Sequence, residues 1–482
     1  MSETKRGRFI AVVVAALVGA GALSWWVVEG MEPSRIDMYE VSPVDGRRAV
    51  VAFYDEGLES EQLALIDREA GERVWQRPLP EGDNDFFSSG GLLSDLNVSA
   101  ARGLVVVHAS SREDRVARAT AMRLETGEVA WERELPEPGD RAGGGLDIHG
   151  DTLVTMDRGM GLRVLDVETG EELWSRVDEL DRSYRVHEGH VIIQRLMEAT
   201  VVLRLRTGEE IGRFESRGAI CFTEGALRWI DYGSGSDPDA PHALMSFGLE
   251  GAEVTRGPTV ASGKGIGSWT RCGTYDGDLI FSGWSSQKSS WAADFMRVDA
   301  ETGELSWSLG LLGRIDTVVM SAPATFYYLN GPLTRFVPAL TMRKEEDALL
   351  AKGHVIDLET GELRSEGADM PSERIGSPRI WRVEGTSTWI IQAQDGADNV
   401  VAAFDAERGV LTGAVKAKGL AASTMRAPDG VLWMHAFGLF SRTGALGWYA
   451  ASLADLSLMG AGDGAPLEPA GEWAMGWLGA PE

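Results

Sequence analysis

The chain has 482 residues, two cysteines and a formal net charge of −27 at pH 7. This acidic surplus excludes nucleic acid as a partner, because binding to a phosphate backbone requires a basic surface. The length suggests two ordinary domains, unless a single repeat architecture takes up the whole chain.

The N-terminus predicts a membrane anchor. Residues 1–8 form a basic tail, and residues 9–28 contain no charged side chain. About 20 apolar residues span a bilayer, and flanking basic residues stay in the cytoplasm. We therefore expect a single-pass transmembrane helix over 9–28, a linker over 29–39 and one domain over 40–482 on the periplasmic or extracellular side of the cell membrane. The alternative is a signal peptide that is cleaved near residues 20–22.

A short phrase recurs along the rest of the chain. It combines an apolar run, an acidic residue, a Thr-Gly pair or its equivalent and, in the best copies, a closing Trp. The best copies occupy residues 65–75, 124–131, 165–174 and 298–307. Such self-similarity indicates that one supersecondary unit is repeated.

Each unit predicts four antiparallel strands. The Thr-Gly pair is typical of a tight turn between two strands, because Gly adopts positive φ without strain. A second turn that ends in Gly, such as His149-Gly150, precedes each copy by roughly 20 to 35 residues and starts another strand pair. Four-stranded units repeated along a chain predict an all-β propeller.

The number of blades follows from the turn glycines. Seven of them mark clear units: Gly71, Gly127, Gly170, Gly208, Gly303, Gly361 and Gly409. The long step from Gly208 to Gly303 adds a degenerate unit near Gly251, and residues 450–455 form a ninth candidate without the Thr-Gly pair. We expect eight blades; seven and nine stay open, because a ring can split its closing blade between the two termini.

The two cysteines stand before turns of neighbouring units. Cys221 precedes the turn at Gly225, and Cys272 precedes the turn at Gly277. Because exported proteins fold in oxidising compartments, we expect a disulfide that joins the two blades. The alternative is two buried thiols.

The phrase Asp-x-x-Thr-Gly-x-x-x-Trp resembles the PQQ-like (quinoprotein-type) β-propeller repeat, and the resemblance covers nearly all of residues 40–460. The family includes quinone-dependent dehydrogenases and non-enzymatic propellers, such as the propeller lipoprotein of outer-membrane β-barrel assembly. The character of this chain is closest to the non-enzymatic members.

The resemblance implies that the Trp of each phrase packs flat on the next blade beside its Gly turn. This structural role falls on Trp75, Trp131, Trp174 and Trp307. In other units Gly212, Ser365 and Gly413 stand where the Trp is expected, which predicts looser contacts between those blades.

No constellation in the sequence predicts catalysis. The resemblance implies that a dehydrogenase would hold its quinone with a metal ion, a carboxylate base and often adjacent cysteines, which this chain lacks. Asp231, Asp237 and Asp239 lack the EF-hand spacing, and His187 and His190 occupy a blade turn. We assign no catalytic, cofactor-binding or metal-binding residue and predict no cofactor.

The loops predict a binding face. The turns between strands 1 and 2 and between strands 3 and 4 must share one face of the disc, which we call the turn face. The 2–3 loops and the links between blades lie on the opposite loop face, where the length varies most, at residues 81–91, 110–119, 233–242, 284–291 and 330–352. Loops on a rigid scaffold commonly carry binding sites.

Several large side chains in these loops are candidates for partner binding. They are Phe86, Phe87, Trp284, Lys288, Trp291, Arg335 and Phe336. The alternative is that the aromatic residues fold inward over the blade ends. Residues 341–352 predict a short helix with a partial apolar stripe.

The leading hypothesis is therefore a membrane-anchored extracytoplasmic propeller that binds a cell-envelope protein as a non-catalytic scaffold. The alternative is a quinone- or calcium-dependent oxidoreductase. A weaker alternative is a binder of cell-wall polysaccharide.

Overall fold

The computed structural model describes most of the chain after residue 34. The described residues are 35–55, 60–78, 95–99, 102–111, 116–135, 144–157, 161–176, 183–194, 199–216, 219–231, 242–260, 266–287, 290–311, 332–345, 348–368, 370–371, 379–383, 385–395, 398–422, 427–436, 439–440, 448–461, 467–471 and 474. The basic tail and the expected transmembrane helix at 9–28 lie outside them. Within them, no helix has the length and apolar composition needed to cross a membrane.

The described strands form nine antiparallel sheets, which we number blades 1 to 9 in chain order. Blades 1 to 3 contain β1 (Arg35–Pro43), β2 (Arg48–Asp55), β3 (Ser60–Asp67) and β4 (Glu72–Pro78); β5 (Asp95–Ser99), β6 (Leu104–Ser111), β7 (Val116–Arg123) and β8 (Val129–Leu135); β9 (Gly144–His149), β10 (Thr152–Asp157), β11 (Gly161–Asp166) and β12 (Glu172–Arg176). Blades 4 to 6 contain β13 (Ser183–His187), β14 (His190–Gln194), β15 (Ala199–Arg204) and β16 (Glu210–Glu215); β17 (Ile220–Thr223), β18 (Ala226–Asp231), β19 (His242–Gly248) and β20 (Val254–Val260); β21 (Ile266–Tyr275), β22 (Asp278–Gln287), β23 (Ser290–Val298) and β24 (Leu305–Leu311).

The last three blades depart from this plain order. They contain β25 (Phe336–Glu345), β26 (Ala348–Asp357), β27 (Leu363–Glu366) and β28 (Met370–Pro371); β29 (Arg379–Arg382), β30 (Thr388–Asp395), β31 (Asp398–Asp405), β32 (Val410–Lys418) and β38 (Glu468–Pro469); β33 (Leu420–Ala422), β34 (Val431–Ala436), β36 (Trp448–Ser452) and β37 (Leu458–Ala461). A 3₁₀ turn at Pro428–Gly430 precedes β34, and β35 (Leu439–Phe440) pairs with β1 of blade 1. In blade 7, β25 and β26 correspond to the second and third strands of the other blades. The short strand β28 pairs with β26 beyond the end of β27, and the two together take the place of the fourth strand.

The expected all-β propeller is confirmed, but the expectation of eight blades is wrong. The ninth blade is the candidate at residues 450–455, where the N–H of Leu456 bonds to the carbonyl of Ser452 at 2.8 Å. The equivalent bond in blade 8 runs from the N–H of Gly409 to the carbonyl of Asp405 and closes the 3–4 turn. Leu456 takes φ +55° in the place of the turn glycine, so the Thr-Gly mark is missing although the turn is present.

The ring closes between blades 9 and 1. A single apolar core joins Val51 and Phe53 of blade 1 to Trp433 and Trp448 of blade 9. The N–H of Gly46 also donates to Oδ2 of Asp429 at 2.9 Å. Blades 4 and 5 are joined in the same way, where the N–H of Gly225 donates to Oε2 of Glu188. The seam therefore repeats a contact found inside the ring.

Hydrophobic burial between blades forms the core. Central strands carry apolar residues on both faces: in β11, Leu162, Val164 and Leu165 are at most 3% exposed. Such strands are sandwiched between neighbouring sheets, and the buried apolar area is the main favourable term in folding. The outermost strand β12 instead alternates between exposed and partly buried residues, because successive side chains point to opposite faces and one face is open to water.

The expected helix at 341–352 is wrong, because these residues form the hairpin of β25 and β26. The register runs from Phe336 opposite Asp357 to Glu345 opposite Ala348 without a shift. A partial apolar stripe does not distinguish a helix from a strand over so short a segment.

Candidate functional site

The turn face of the disc is built by hydrogen bonds between the two turns of each blade. In blade 3 the N–H of Val167, in the 3–4 turn, donates to the carbonyl of Asp151, in the 1–2 turn, at 3.0 Å. In blade 4 the N–H of Leu205 bonds to the carbonyl of Gly189 at 2.8 Å. Equivalent bonds occur in blades 1, 2, 5, 7, 8 and 9. Both turn types therefore lie on one face, as the sequence predicts.

Turn aspartates brace the 3–4 turns. Oδ1 of Asp166 accepts the N–H groups of Glu168 and Thr169, each at 3.0 Å. Burial opposes the charge of Asp166, but these bonds hold its pKa below the usual value. A hydrogen bond from Arg47 lowers the pKa of Asp67 to about 2. These carboxylates are structural, since their oxygens are engaged inside the turn.

Four indoles dock on the turn of the following blade. Nε1 of Trp75 donates to the carbonyl of Leu124 at 2.6 Å, and Nε1 of Trp131 donates to that of Val167 at 3.0 Å. Each ring lies against the turn glycine: a Cβ placed on Gly170 would lie 2.6 Å from Cε3 of Trp131. Trp174 and Trp307 make the same bonds to Leu205 and Leu358, at 2.8 and 3.0 Å.

Where the indole is missing, other groups fill the contact. A Cβ placed on Gly212 would overlap the Phe247 ring of blade 5, so the glycine makes room for an aromatic side chain of the next blade. Phe247 belongs to a stack with Phe214 and Trp229. A Cβ placed on Gly413 would overlap the carbonyl oxygen of Asp455 in blade 9. The expected looseness is therefore wrong at these two positions, because backbone or ring atoms of the next blade replace the indole.

Ion pairs between blades add to the turn face. Arg48 of blade 1 pairs with Glu125 of blade 2 at 2.9 Å, and Arg102 of blade 2 pairs with Glu168 of blade 3. Between blades 3 and 4 the signs are exchanged, with Asp151 facing Arg206. Exposed pairs of this kind contribute little to stability, and they connect charged groups of neighbouring blades across the turn face.

The two cysteines are bonded. Cys221 and Cys272 form a disulfide with a Cα–Cα distance of 4.9 Å. Both lie in first strands, β17 and β21, and both are fully buried. The bond therefore joins blades 5 and 6 next to the central channel.

Arg335 and Phe336 lie on the turn face, contrary to their assignment to the loop face. Arg335 donates to both carboxylate oxygens of Asp357, at 2.8 to 3.1 Å. Phe336 is 8% exposed, and a Cβ placed on Gly409 of blade 8 would lie 2.9 Å from its ring. In the sequence both residues belong to the long insertion at 330–352. The register shows that Arg335 lies in the turn before β25, on the turn face, and that β25 runs from there toward the loop face.

Trp284 and Trp291 belong to the hairpin of β22 and β23. Trp284 stands opposite Ala293, and Trp291 stands opposite Ser286. Directly opposed residues and residues two apart share a face of a hairpin, so the two tryptophan positions share one face. Phe86, Phe87 and Lys288 lie outside the described residues.

The described residues offer no metal site, since none of their His, Cys, Asp and Glu side chains form a group of three that could hold an ion. His187 uses Nε2 for a 3.0 Å contact with the carbonyl of Thr223 in the next blade. Asp231 ends β18, and Asp237 and Asp239 fall outside the part of the chain that is described.

Comparisons with known proteins agree with this architecture. A family model described as outer membrane protein assembly factor BamB matches residues 12–208. The resemblance to the PQQ-like propeller family is thereby confirmed. We found no match among curated proteins.

Two solved structures illustrate the similarity. The chain is 14% identical to BamB from Moraxella catarrhalis, with 71% of this chain and 88% of that one covered and a TM-score of 0.39. It is also 14% identical to quinohemoprotein alcohol dehydrogenase ADHIIG from Pseudomonas putida HK5, with 76% and 65% covered and a TM-score of 0.35.

Proposed function

We propose that this protein is a membrane-anchored, extracytoplasmic PQQ-like propeller that binds a cell-envelope protein on its loop face as a non-catalytic scaffold. The observation that carries the proposal is the asymmetry of the disc. The turn face is occupied by indole docking, turn-to-turn hydrogen bonds and ion pairs between blades. The loop face carries hairpins that extend beyond the common height of the ring.

The longest hairpins in the described part of the chain lie in adjacent blades. β22 and β25 each have ten residues, whereas β10 at the same place in blade 3 has six. All three begin beside the turn face, so the four extra residues extend toward the loop face by about 13 Å. Among the described strands, those of blades 6 and 7 thereby extend furthest toward that face.

The register places the two tryptophan positions of blade 6 on the side of the sheet that faces blade 7. Ile280 and Phe295 pack in the core shared with blade 7. Positions 284 and 291 fall on the same face of the sheet as Ile280 and Phe295, because each is an even number of residues from one of them along its strand. Trp is enriched at the energetic centres of interfaces. The disulfide beside the channel supports an exported, oxidising location for such a surface.

Site-specific photo-crosslinking in cells tests the proposal. A photoreactive amino acid is placed at Gln287, at the loop-face end of blade 6, or at Glu304, at the turn-face end of the same blade. We expect a discrete product with an envelope protein from Gln287 only, and its loss in the Trp284→Ala variant. Equal products from both positions, or products from Glu304 alone, would contradict the assignment of the loop face.

A further inference from the structure

The chain enters the ring on the loop face. In β1, Ile36 stands opposite Asp55, next to the 2–3 loop of blade 1, whereas Pro43 stands opposite Ala49, next to the 1–2 turn. That turn lies on the turn face, because the carbonyl of Arg47 accepts the N–H of Arg68 in the 3–4 turn. β1 therefore runs from the loop face to the turn face, and its first residue lies on the loop face.

The entry point is also close to the axis of the ring. β1 is the first strand of its blade, and first strands of neighbouring blades lie side by side around the channel, as β1 does with β5 and β5 with β9. Three strand spacings separate β1 from β4 on the outer rim, which is about 14 Å of backbone.

The connection to the proposed anchor is short. Six residues, 29–34, separate the apolar segment 9–28 from β1. The seven steps from residue 28 to residue 35 reach at most about 25 Å when fully extended. The nine residues of β1 cross about 27 Å of the disc. To reach the turn face around the rim, the connection would have to cover these ~27 Å and a further ~14 Å of strand spacings. This path is longer than its reach of about 25 Å, so the anchor does not reach the turn face.

We propose that the loop face is turned toward the bilayer and the turn face toward the aqueous compartment, an inference that rests on the proposed anchor. The partner bound by the loop face is then the membrane-proximal part of an integral membrane protein, held within about 25 Å of the lipid surface. The hairpins of blades 6 and 7 point into this space.

The charge on the turn face agrees with this orientation. Seven consecutive blades carry an exposed glutamate just after the residue that closes the 3–4 turn: Glu72, Glu128, Glu171, Glu209, Glu253, Glu304 and Glu362. Carboxylates lose favourable hydration when they are brought against apolar material. A face that presents seven of them, with Glu209 paired to Arg204 at 2.8 Å, is stable toward water.

Energy transfer from the protein to labelled lipid tests the orientation. The full chain is reconstituted into vesicles of phosphatidylethanolamine and phosphatidylglycerol that carry acceptor dye on their headgroups. Donor dye is attached in separate samples to Gln394→Cys, at the loop-face end of β30, and to Glu407→Cys, in the turn-face turn of the same blade. Both native cysteines are bonded and do not react.

We expect transfer at least about twofold higher from position 394 than from position 407, because β30 separates the two ends by about 23 Å. Equal transfer would mean that the disc stands on its rim, and higher transfer from position 407 would mean the reverse orientation; either overturns the inference alone. Failure of the protein to float with the vesicles would overturn the anchor, and the orientation with it.

Discussion

The docked indoles lead to a sharp prediction about two glycines of the same blade. Gly150 and Gly170 both have positive φ, +63° and +69°. A Cβ on Gly150 would meet nothing within 4 Å, whereas a Cβ on Gly170 would lie 2.6 and 2.7 Å from two atoms of Trp131. Gly150→Ala therefore adds backbone strain only, and Gly170→Ala adds the same strain and displaces an indole.

The magnitudes separate the two variants. A left-handed conformation costs an L-residue about 1–2 kcal/mol, which is the expected loss for Gly150→Ala. In Gly170→Ala the indole of Trp131 must also move, which breaks its 3.0 Å bond to Val167. A lost hydrogen bond and the lost packing add about 2–3 kcal/mol. We expect a total loss of about 3–5 kcal/mol.

Urea denaturation followed by far-ultraviolet circular dichroism measures both losses. A double-mutant cycle with Trp131→Ala gives the coupling: in the Trp131→Ala background, Gly170→Ala should cost no more than Gly150→Ala does. Equal losses for the two alanine variants in the natural background, or a coupling near zero, would refute inter-blade docking by the indole.

The disulfide, a buried histidine and one turn residue each lead to a further prediction. Replacement of Cys221 and Cys272 by Ser should lower the free energy of unfolding by about 4 kcal/mol, because the bond closes a loop of 51 residues; reduction of the natural protein should give the same loss, and no loss would mean that the bond is absent in solution. Burial lowers the pKa of His435 from 6.5 to about 4. Between pH 6.5 and 4 the unfolded chain therefore binds a proton at His435 that the folded protein excludes. The free energy of unfolding decreases by about 3 kcal/mol as the pH falls through this range. Denaturation midpoints between pH 7 and 4.5 should show the decline, and His435→Gln should flatten it. Ala252 holds φ +52° in the turn of blade 5, so Ala252→Gly should raise the melting temperature, by a gain of about 0.5–1 kcal/mol; a lower melting temperature would contradict the turn assignment.

The repeat made the class of fold predictable, because turn chemistry and docking repeat with it. The phrases at 165–174 and 298–307 contain the Asp that braces the turn, the Gly that permits positive φ and the Trp that docks on the next blade. The count failed where that chemistry changes. Ala252 takes the positive-φ place of glycine in blade 5, which the spacing of the units still predicts. Leu456 takes this place in blade 9, which a search for Thr-Gly misses. The strain at one residue is small beside the burial of a whole blade.

The placement of loops was less predictable, because it depends on which strand each insertion interrupts. Residues 330–352 look like one long loop in the sequence, yet Arg335 braces a turn and residues from Phe336 onward pair as strands. The sequence also does not predict that Phe247 of the next blade fills the contact at Gly212, where other blades have a Trp. The two residues lie 35 positions apart, and only the stacking of blades brings them together.

The central claim is a closed ring in which the ninth blade lies against the first. The Cβ of Arg68, in blade 1, lies 3.4 Å from the position of a Cβ on Gly460, in blade 9. Such a separation is close to that of natural disulfides, about 3.5–4.5 Å. Mild oxidation of a chain carrying Arg68→Cys and Gly460→Cys should give an intramolecular bond, seen by peptide mass spectrometry, whereas Arg68→Cys with Gly251→Cys of blade 5 should give none. A folded protein in which cysteines at 68 and 460 stay free, or bond only between molecules, would contradict the nine-bladed ring.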